Sequence, residues 1–163
     1  MYTYLVAKQS IPHPDPSRVP HEACACGVAL WQAAARWRHA VEEALEPVAL
    51  TLTQWWILSA TDVLVTEAGE AISQNAIARW ARVDRATTSQ VIRKLETEGL
   101  IDRSPEFGGP AFRVLVSPKG RRILRSATPL VETASRKGLA RISSLKRLHP
   151  ELESIAAAPR ERG

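Results

Sequence analysis

Cysteine is almost missing from this chain, with two thiols, Cys24 and Cys26, in 163 residues. Two cysteines this close cannot build a disulfide framework, and their scarcity fits a reducing cytoplasm. No apolar run approaches the ~20 residues that cross a membrane, so no membrane partner is expected. The opening MYTYLVAKQS lacks the basic-then-apolar order of a secretory signal. There is no Gly-rich phosphate loop, no histidine pair at helical spacing and no nucleophile set beside a base. The four histidines fall at 13, 21, 39 and 149, none near a suggestive partner. These absences argue against an enzyme and give no reason to expect a cofactor. His13, His21, Cys24 and Cys26 do not follow a usual zinc spacing, so no metal site is assigned.

What the chain does have is a local excess of positive charge. Residues 76–125 carry eleven basic and five acidic side chains, a net +6, while the remainder sums to −1. Charge concentrated in this way suits a polyanion, although a solvated basic face would look the same.

The pattern along the chain locates that charge. IPHPDPSRVP, with four prolines over 11–20, reads as an extended arm. A helix is expected from about Cys24 to Leu45, with Val28, Trp31, Ala34, Val41 and Leu45 on its apolar side and Pro47 ending it. Thr51 and Gln54 form a capping-box pattern that opens a second helix, QWWILSATDVLV. EAGEAIS reads as a loop whose last residue, Ser73, caps the next helix. Two short helices follow, at about 74–81 and 85–98, joined by a tight turn. Thr88, Val91, Ile92 and Leu95 form the inner stripe of the second, and Gly99 stops it. Leu100–Arg103 and Phe112–Val116 read as a hairpin around SPEFGGPA. Ser117-Pro118 starts a long helix with the stripe Ile123, Ala127, Leu130 and Ala134, extended by Ile142 and Leu145. Pro129 should kink it. The end, AAAPRERG, reads as frayed.

Helix, turn, helix, hairpin, helix is the order of a winged helix. The fold class is therefore mainly α with a small β-hairpin wing. If the apolar row of the second short helix faces inward, Arg85, Thr87, Ser89, Gln90, Arg93 and Lys94 spread over its outer surface. Short hydroxyls at a helix start can approach phosphates and base edges closely, and the helix dipole adds attraction for phosphate. Thr87 and Ser89 would also suit an ordinary exposed surface.

Residues 50–122 resemble the winged-helix domain of the multiple-antibiotic-resistance regulator (MarR) family. The resemblance lies in LTLTQWWIL, in AIARWARVDRATTSQVIRKLETEGLIDR and in VLVSPKGRRIL. It implies a homodimer that binds double-stranded DNA and regulates transcription. It also implies residues 1–23 as an arm, 24–49 as an N-terminal dimerisation helix, 50–117 as the DNA-binding domain and 118–163 as C-terminal dimerisation helices with a tail. Arg85, Thr87, Ser89 and Gln90 would enter the major groove, and the wing the minor groove. Three departures stand out. The wing tip PEFGGP has one acid and no cation, which leaves the job to Arg103 and Arg113 on the strand shoulders. Gln90 stands where Arg is common, and Trp80 is bulky for its position.

Family members commonly take a small aromatic ligand between the dimer helices and the winged helix, and Trp31, Trp37, Trp55 and Trp56 are candidates to line such a cleft. Core packing would use the same residues. Some members sense oxidants near the first helix, where Cys24 and Cys26 lie, with Arg18 and His21 as the nearest cations. Inert thiols are the alternative. A winged helix can also serve as a protein-interaction module in a larger assembly. Duplex binding measured across salt separates that reading from a DNA regulator.

Overall fold

A computed structural model describes residues 22–105 and 112–157. The Pro-rich arm up to residue 21, the wing tip at 106–111 and the tail from 158 lie outside the described residues. The chain divides into two compact units, Met1–Arg36 and Trp37–Gly163. In the described part of the first, Glu22–Arg36 is the opening of a helix, α1, that continues to Leu45.

In the second unit α1 ends in a single 3-10 turn, Glu46–Val48, built on Pro47. Then come α2 (Leu52–Ala68), β1 (Ile72–Ser73), α3 (Gln74–Ala81), α4 (Arg85–Thr97), β2 (Ile101–Pro105), β3 (Phe112–Val116), α5 (Pro118–Gly138) and α6 (Leu145–Ala157). The architecture is a mainly helical winged helix-turn-helix with a three-stranded antiparallel sheet in the order β1-β3-β2. Ile101 faces Val116, Arg103 faces Val114, and Ile72 pairs with Val114 from the other side.

Local chemistry explains most boundaries. The Thr51 hydroxyl accepts from Gln54 N (3.2 Å) and the Gln54 side chain accepts from Thr51 N (2.8 Å), which closes the capping box of α2. Gly69 ends α2 with a left-handed φ of 69°. At the end of α4, Gly99 takes φ 70°. Gly99 N then donates to Glu96 O (2.9 Å) and Leu100 N to Leu95 O (2.8 Å), a complete Schellman closure. The Ser117 hydroxyl accepts from Gly120 N (3.0 Å), with Pro118 at the first helical position of α5.

The core gathers Val41 and Leu45 of α1, Ile57 and Leu58 of α2, Ile77 of α3, Ile92 and Leu95 of α4, and Ile101 and Val114 of the sheet. The end of the helix assigned to dimerisation is thus also core.

Three expectations need correction. EAGEAIS is not all loop, because Ile72 and Ser73 pair with β3; two residues are too few to show alternation. The buried row of α5 is Gly120, Leu124, Ala127, Val131 and Ala134, leaving Ile123 and Leu130 at its half-buried edge. The stripe does not continue to Ile142 and Leu145, since α5 stops at Gly138 and Leu145 begins α6. Pro129, where a kink was expected, lies inside α5.

Gly120 has no room for a side chain, since a Cβ there would lie 2.1 Å from the Leu100 carbonyl oxygen. Gly120→Ala should therefore cost about 1–3 kcal/mol, as overpacking does, and lower the urea midpoint. Thr88 is buried with its hydroxyl unpaired. Thr88→Val should stabilise the fold by about 1 kcal/mol in the same assay, because it removes an unmet polar group. A neutral Gly120→Ala or a destabilising Thr88→Val would contradict this packing.

Candidate nucleic-acid interface

The helix-turn-helix is assembled by caps at each end of its turn. Ser73 caps α3, its hydroxyl accepting from Ala76 N at 3.2 Å. The Trp56 indole N–H donates to Ala81 O (2.9 Å), which ties α2 to the end of α3. Arg82 then adopts φ 54°, a left-handed conformation that costs a non-glycine residue energy. Val83 N reaches back to Ala78 O at 3.2 Å. Asp84 accepts from Thr87 N (2.8 Å) and caps α4. Hydrogen bonds from Thr87, its side chain first and its backbone second, hold the Asp84 carboxyl below the ordinary carboxylate range.

Helix α4 buries Thr88, Ile92 and Leu95. Arg85, Gln90, Arg93 and Lys94 are exposed on the other side, and Thr87 and Ser89 are half-buried. All six residues assigned to this helix from sequence thus lie off its core row. They are not equivalent. Arg93 folds back on Ser89, donating to its carbonyl (3.2 Å) and hydroxyl (3.3 Å). Lys94 stands 3.9 Å from Glu98. Arg85 and Gln90 have no side-chain partner among the described residues.

Sequence reasoning missed two neighbours. Arg79, Arg82 and Arg85 border one depression of about 540 Å³ beside Asp84, and none of these guanidiniums is paired among the described residues. Their spacing of three across the turn was the available signal. The distorted φ of Arg82 points the same way, since backbone strain concentrates at functional sites.

The wing arginines behave differently. Arg103 is ion-paired to Glu96 at 2.9 Å and lies over the Phe112 ring, 4.1 Å from its centroid. Arg113 donates to Ala71 O (2.9 Å) and stands 3.7 Å from Glu70. Both have internal partners that brace the wing.

A cleft of about 430 Å³ lies where Trp37, Trp55 and Trp56 meet Leu52, Val131 and Ser135. The Trp37 indole N–H donates to the Ser135 hydroxyl at 2.9 Å. Three of the four nominated tryptophans therefore line a cavity while also packing against the core. Trp31, in the first unit, is 76 % exposed. Cys24 and Cys26 are free and exposed. Two residues apart on a helix, they point roughly 200° away from each other, so they cannot bridge. No group of three or more potential metal ligands occurs among the described residues, and His13 and His21 lie outside them. Among the described residues no single helix is long and apolar enough to cross a membrane.

Comparison with known proteins agrees with this geometry. The family model described as "MarR family" matches residues 50–106. The chain is similar to the uncharacterised HTH-type transcriptional regulator YdcH of Bacillus subtilis, with 31 % identity over 108 residues that span 65 % of this chain and 72 % of YdcH. It is 28 % identical to the HTH-type transcriptional repressor Rv2887 of Mycobacterium tuberculosis over 72 % of this chain and 82 % of the relative. The structure of Rv2887 in complex with DNA superposes with a TM-score of 0.60, covering 81 % of this chain and 97 % of that one, at 25 % identity. Rv2887 has also been solved with p-aminosalicylic acid, with a TM-score of 0.61 at 26 % identity, covering 80 % of this chain and 98 % of that one. A MarR-family regulator from Rhodococcus sp. RHA1 shares the fold with a TM-score of 0.72 over 85 % of this chain and 96 % of that one, at 23 % identity.

The Asp84 cap has a testable pH signature. A carboxyl held below its ordinary range contributes stability above that range, and the contribution disappears as pH falls through the lowered value, below pH ~4. Asp84→Asn should keep the cap at pH 7 and flatten the acid limb of the melting curve. Asp84→Ala should lower Tm at pH 7. Thermal melts from pH 3 to 7 check both, and an Ala variant as stable as wild type at pH 7 would remove Asp84 from this role.

Proposed function

The chain belongs to the MarR family of transcriptional regulators, and on that premise we propose that it is a repressor that binds a pseudo-palindromic operator as a homodimer. The observation that carries the reading is the outer face of α4. Arg85 and Gln90 stand exposed and unpartnered there, on a helix capped at both ends and seated on Ile92 and Leu95. Such a helix fits the major groove, where Arg reads guanine and Gln reads adenine by paired hydrogen bonds. Arg79 and Arg82 flank it and suit phosphates, which position a protein without reading sequence. The internal engagement of Arg103 and Arg113 leaves the described part of the wing a smaller share of the contact. The DNA complex of Rv2887 supports the reading by likeness.

Uncovered apolar side chains support the dimer. Trp31 of α1 and Leu145, Leu152 and Ile155 of α6 are all exposed. Large apolar groups of this kind are usually covered by a partner, and a two-fold pair buries the same patch from both sides. The half-sites would then lie about one helical turn, ~10 base pairs, apart.

Control by a small ligand has a site in the 430 Å³ cleft, whose volume lies within the ~300–1,000 Å³ usual for such ligands. An aromatic molecule there would contact α1, α2 and α5 together. The p-aminosalicylic acid complex of Rv2887 makes that ligand class a reasonable one for this chain. Cys24 and Cys26 give a second input. Exposed thiols that cannot bridge within one helix would oxidise to sulfenic acid or to an intersubunit disulfide.

Three measurements test this. Selection of duplexes from a random pool should return a palindromic consensus. Arg85→Ala should then weaken binding to it by about 1–3 kcal/mol at fixed salt, whereas Arg79→Ala and Arg82→Ala should each reduce the salt slope by about 1 with little change in preference. An Arg85→Ala protein that binds as tightly as wild type would overturn the assignment of α4. Peroxide should produce a dimer band on a non-reducing gel or change DNA affinity, both abolished in the Cys24→Ser, Cys26→Ser double variant. An unchanged gel and unchanged affinity would rule out the thiols as sensors.

A further inference from the structure

Helix α6 ends beside the turn of the helix-turn-helix. Ile155 and Ala156, in its last turn, complete the rim of the depression that Arg79, Arg82 and Arg85 border. The meeting is electrostatically favourable. The carboxyl end of a helix carries the negative pole of its dipole, worth about half an elementary charge. Here that end comes to three guanidiniums that have no ion pair among the described residues. Asp84 is the one acid lining the depression, and its carboxylate is engaged in capping α4.

Yet α6 is lightly held. None of its residues is buried, and Ile155 is 64 % exposed. Among the described residues, its side-chain bonds stay within the helix and its cap. His149 stands 3.6 Å from Glu153, and the Ser144 hydroxyl accepts from Arg147 N at 3.3 Å. Residues 139–144 join α6 to α5. The backbone bonds there, Ala140 N to Lys137 O (3.4 Å) and Ile142 N to Leu139 O (3.0 Å), are local. Swinging α6 away therefore breaks no side-chain bond to the rest of the domain among the described residues.

We propose that α6 is a built-in competitor of DNA. In the seat seen here, its last turn stands where a phosphate would meet Arg79, Arg82 and Arg85, and it must leave before a duplex backbone reaches them. The proposal rests on the assignment of Arg79 and Arg82 to phosphates made above. A helix with no buried residue is displaced by several phosphates acting together. Until then it scales duplex affinity by the fraction of subunits in which α6 is away. The pairing surface proposed above also uses Ile155, so a subunit whose α6 lies against its partner has these arginines free.

A cleavable link tests this. In the Cys24→Ser, Cys26→Ser background, Val83→Cys and Ala156→Cys place one thiol on each side of the depression. A short bis-maleimide with a disulfide in its spacer should join them within one chain, which denaturing mass spectrometry distinguishes from a link between chains. Binding is read at low salt on a ~12-base-pair duplex, too short for two half-sites, so pairing between subunits does not enter. The linked protein should bind about tenfold more weakly, or worse, than the Val83→Cys single variant carrying the same reagent on its one thiol. Reducing the spacer should restore the affinity of that single variant, which also shows that the linked protein stayed folded. Absence of the within-chain link, or equal affinity with the link intact, would overturn the competitor role and leave the regulator standing. A chain that binds no duplex in any form, unmodified included, would overturn the regulator and this proposal with it.

Discussion

The contact between the start of α5 and the end of α4 governs the rest of the domain. Gly120 lies so close to the Leu100 carbonyl that only a hydrogen can occupy its side-chain position. Around that contact Ser117 N donates to Leu100 O (3.0 Å), the Ser117 hydroxyl to Gly99 O (2.7 Å) and Lys119 Nζ to Glu98 O (2.7 Å). The carbonyls of Glu98, Gly99 and Leu100, just past the end of α4, are thereby met by donors from the start of α5. The lysine also places positive charge at the negative end of the helix dipole. Leu100 is buried at the same corner, so the direction of α4, the register of β2 and the starting point of α5 are set together. Any motion of α5 must either carry α4 with it or break several hydrogen bonds in a packed site.

The other end of α4 is held by a different device. There the turn spends strain, with Arg82 in the left-handed region, to bring Asp84 under the first N–H groups of the helix. One end is closed by glycine and a borrowed serine, and the other by an aspartate. Between the two, the inward residues are apolar and the outward ones polar. This sorts the basic charge of the segment in a way that net charge cannot. Arg93, Lys94, Arg103, Arg113, Lys119 and Arg121 all have partners within the protein. Arg79, Arg82, Arg85, Arg122 and Arg125 have none among the described residues. The first three of these meet at the turn that precedes α4.

This division marks where sequence was readable and where it was not. Thr51, Ser73, Gly99 and Ser117-Pro118 could each be read because a cap is a local event, decided within four or five residues. The stripe of α4 was legible for a similar reason, since a short helix with one buried side leaves little choice of phase. β1 was not legible, because its two residues are defined by β3, some forty positions away. The buried row of α5 was displaced by one residue at Ile123 and Leu130. Both are good core residues, and the rotation that favours Leu124 and Val131 also puts Gly120 against the Leu100 carbonyl, a contact some twenty residues away in sequence. The internal partners of the wing arginines were not legible for a third reason. An arginine on a strand shoulder has the same sequence whether it meets DNA or a nearby glutamate, and Glu96 and Glu70 were within reach.

Trp56 is where these structural devices meet the aromatic cleft. Its N–H holds the end of α3, its ring touches those of Trp55 and Trp80, and it forms a wall of the 430 Å³ cleft. One wall of that cleft is therefore a side chain already bonded to the helix-turn-helix. That contact alone does not produce regulation. A ligand shifts an equilibrium only by the difference between its affinities for the two states, however tightly it binds. The hydrogen bond from the indole to Ala81 O falls on the same turn that strains Arg82. Ala81 O, the left-handed Arg82 and the Asp84 cap follow one another within four residues, so all three belong to one turn. The far end of α4 stays fixed by Gly120 and Ser117. The bond from Trp56 thus bears on the amino-terminal end of α4, where Arg85 sits, and not on the end held by Gly120 and Ser117.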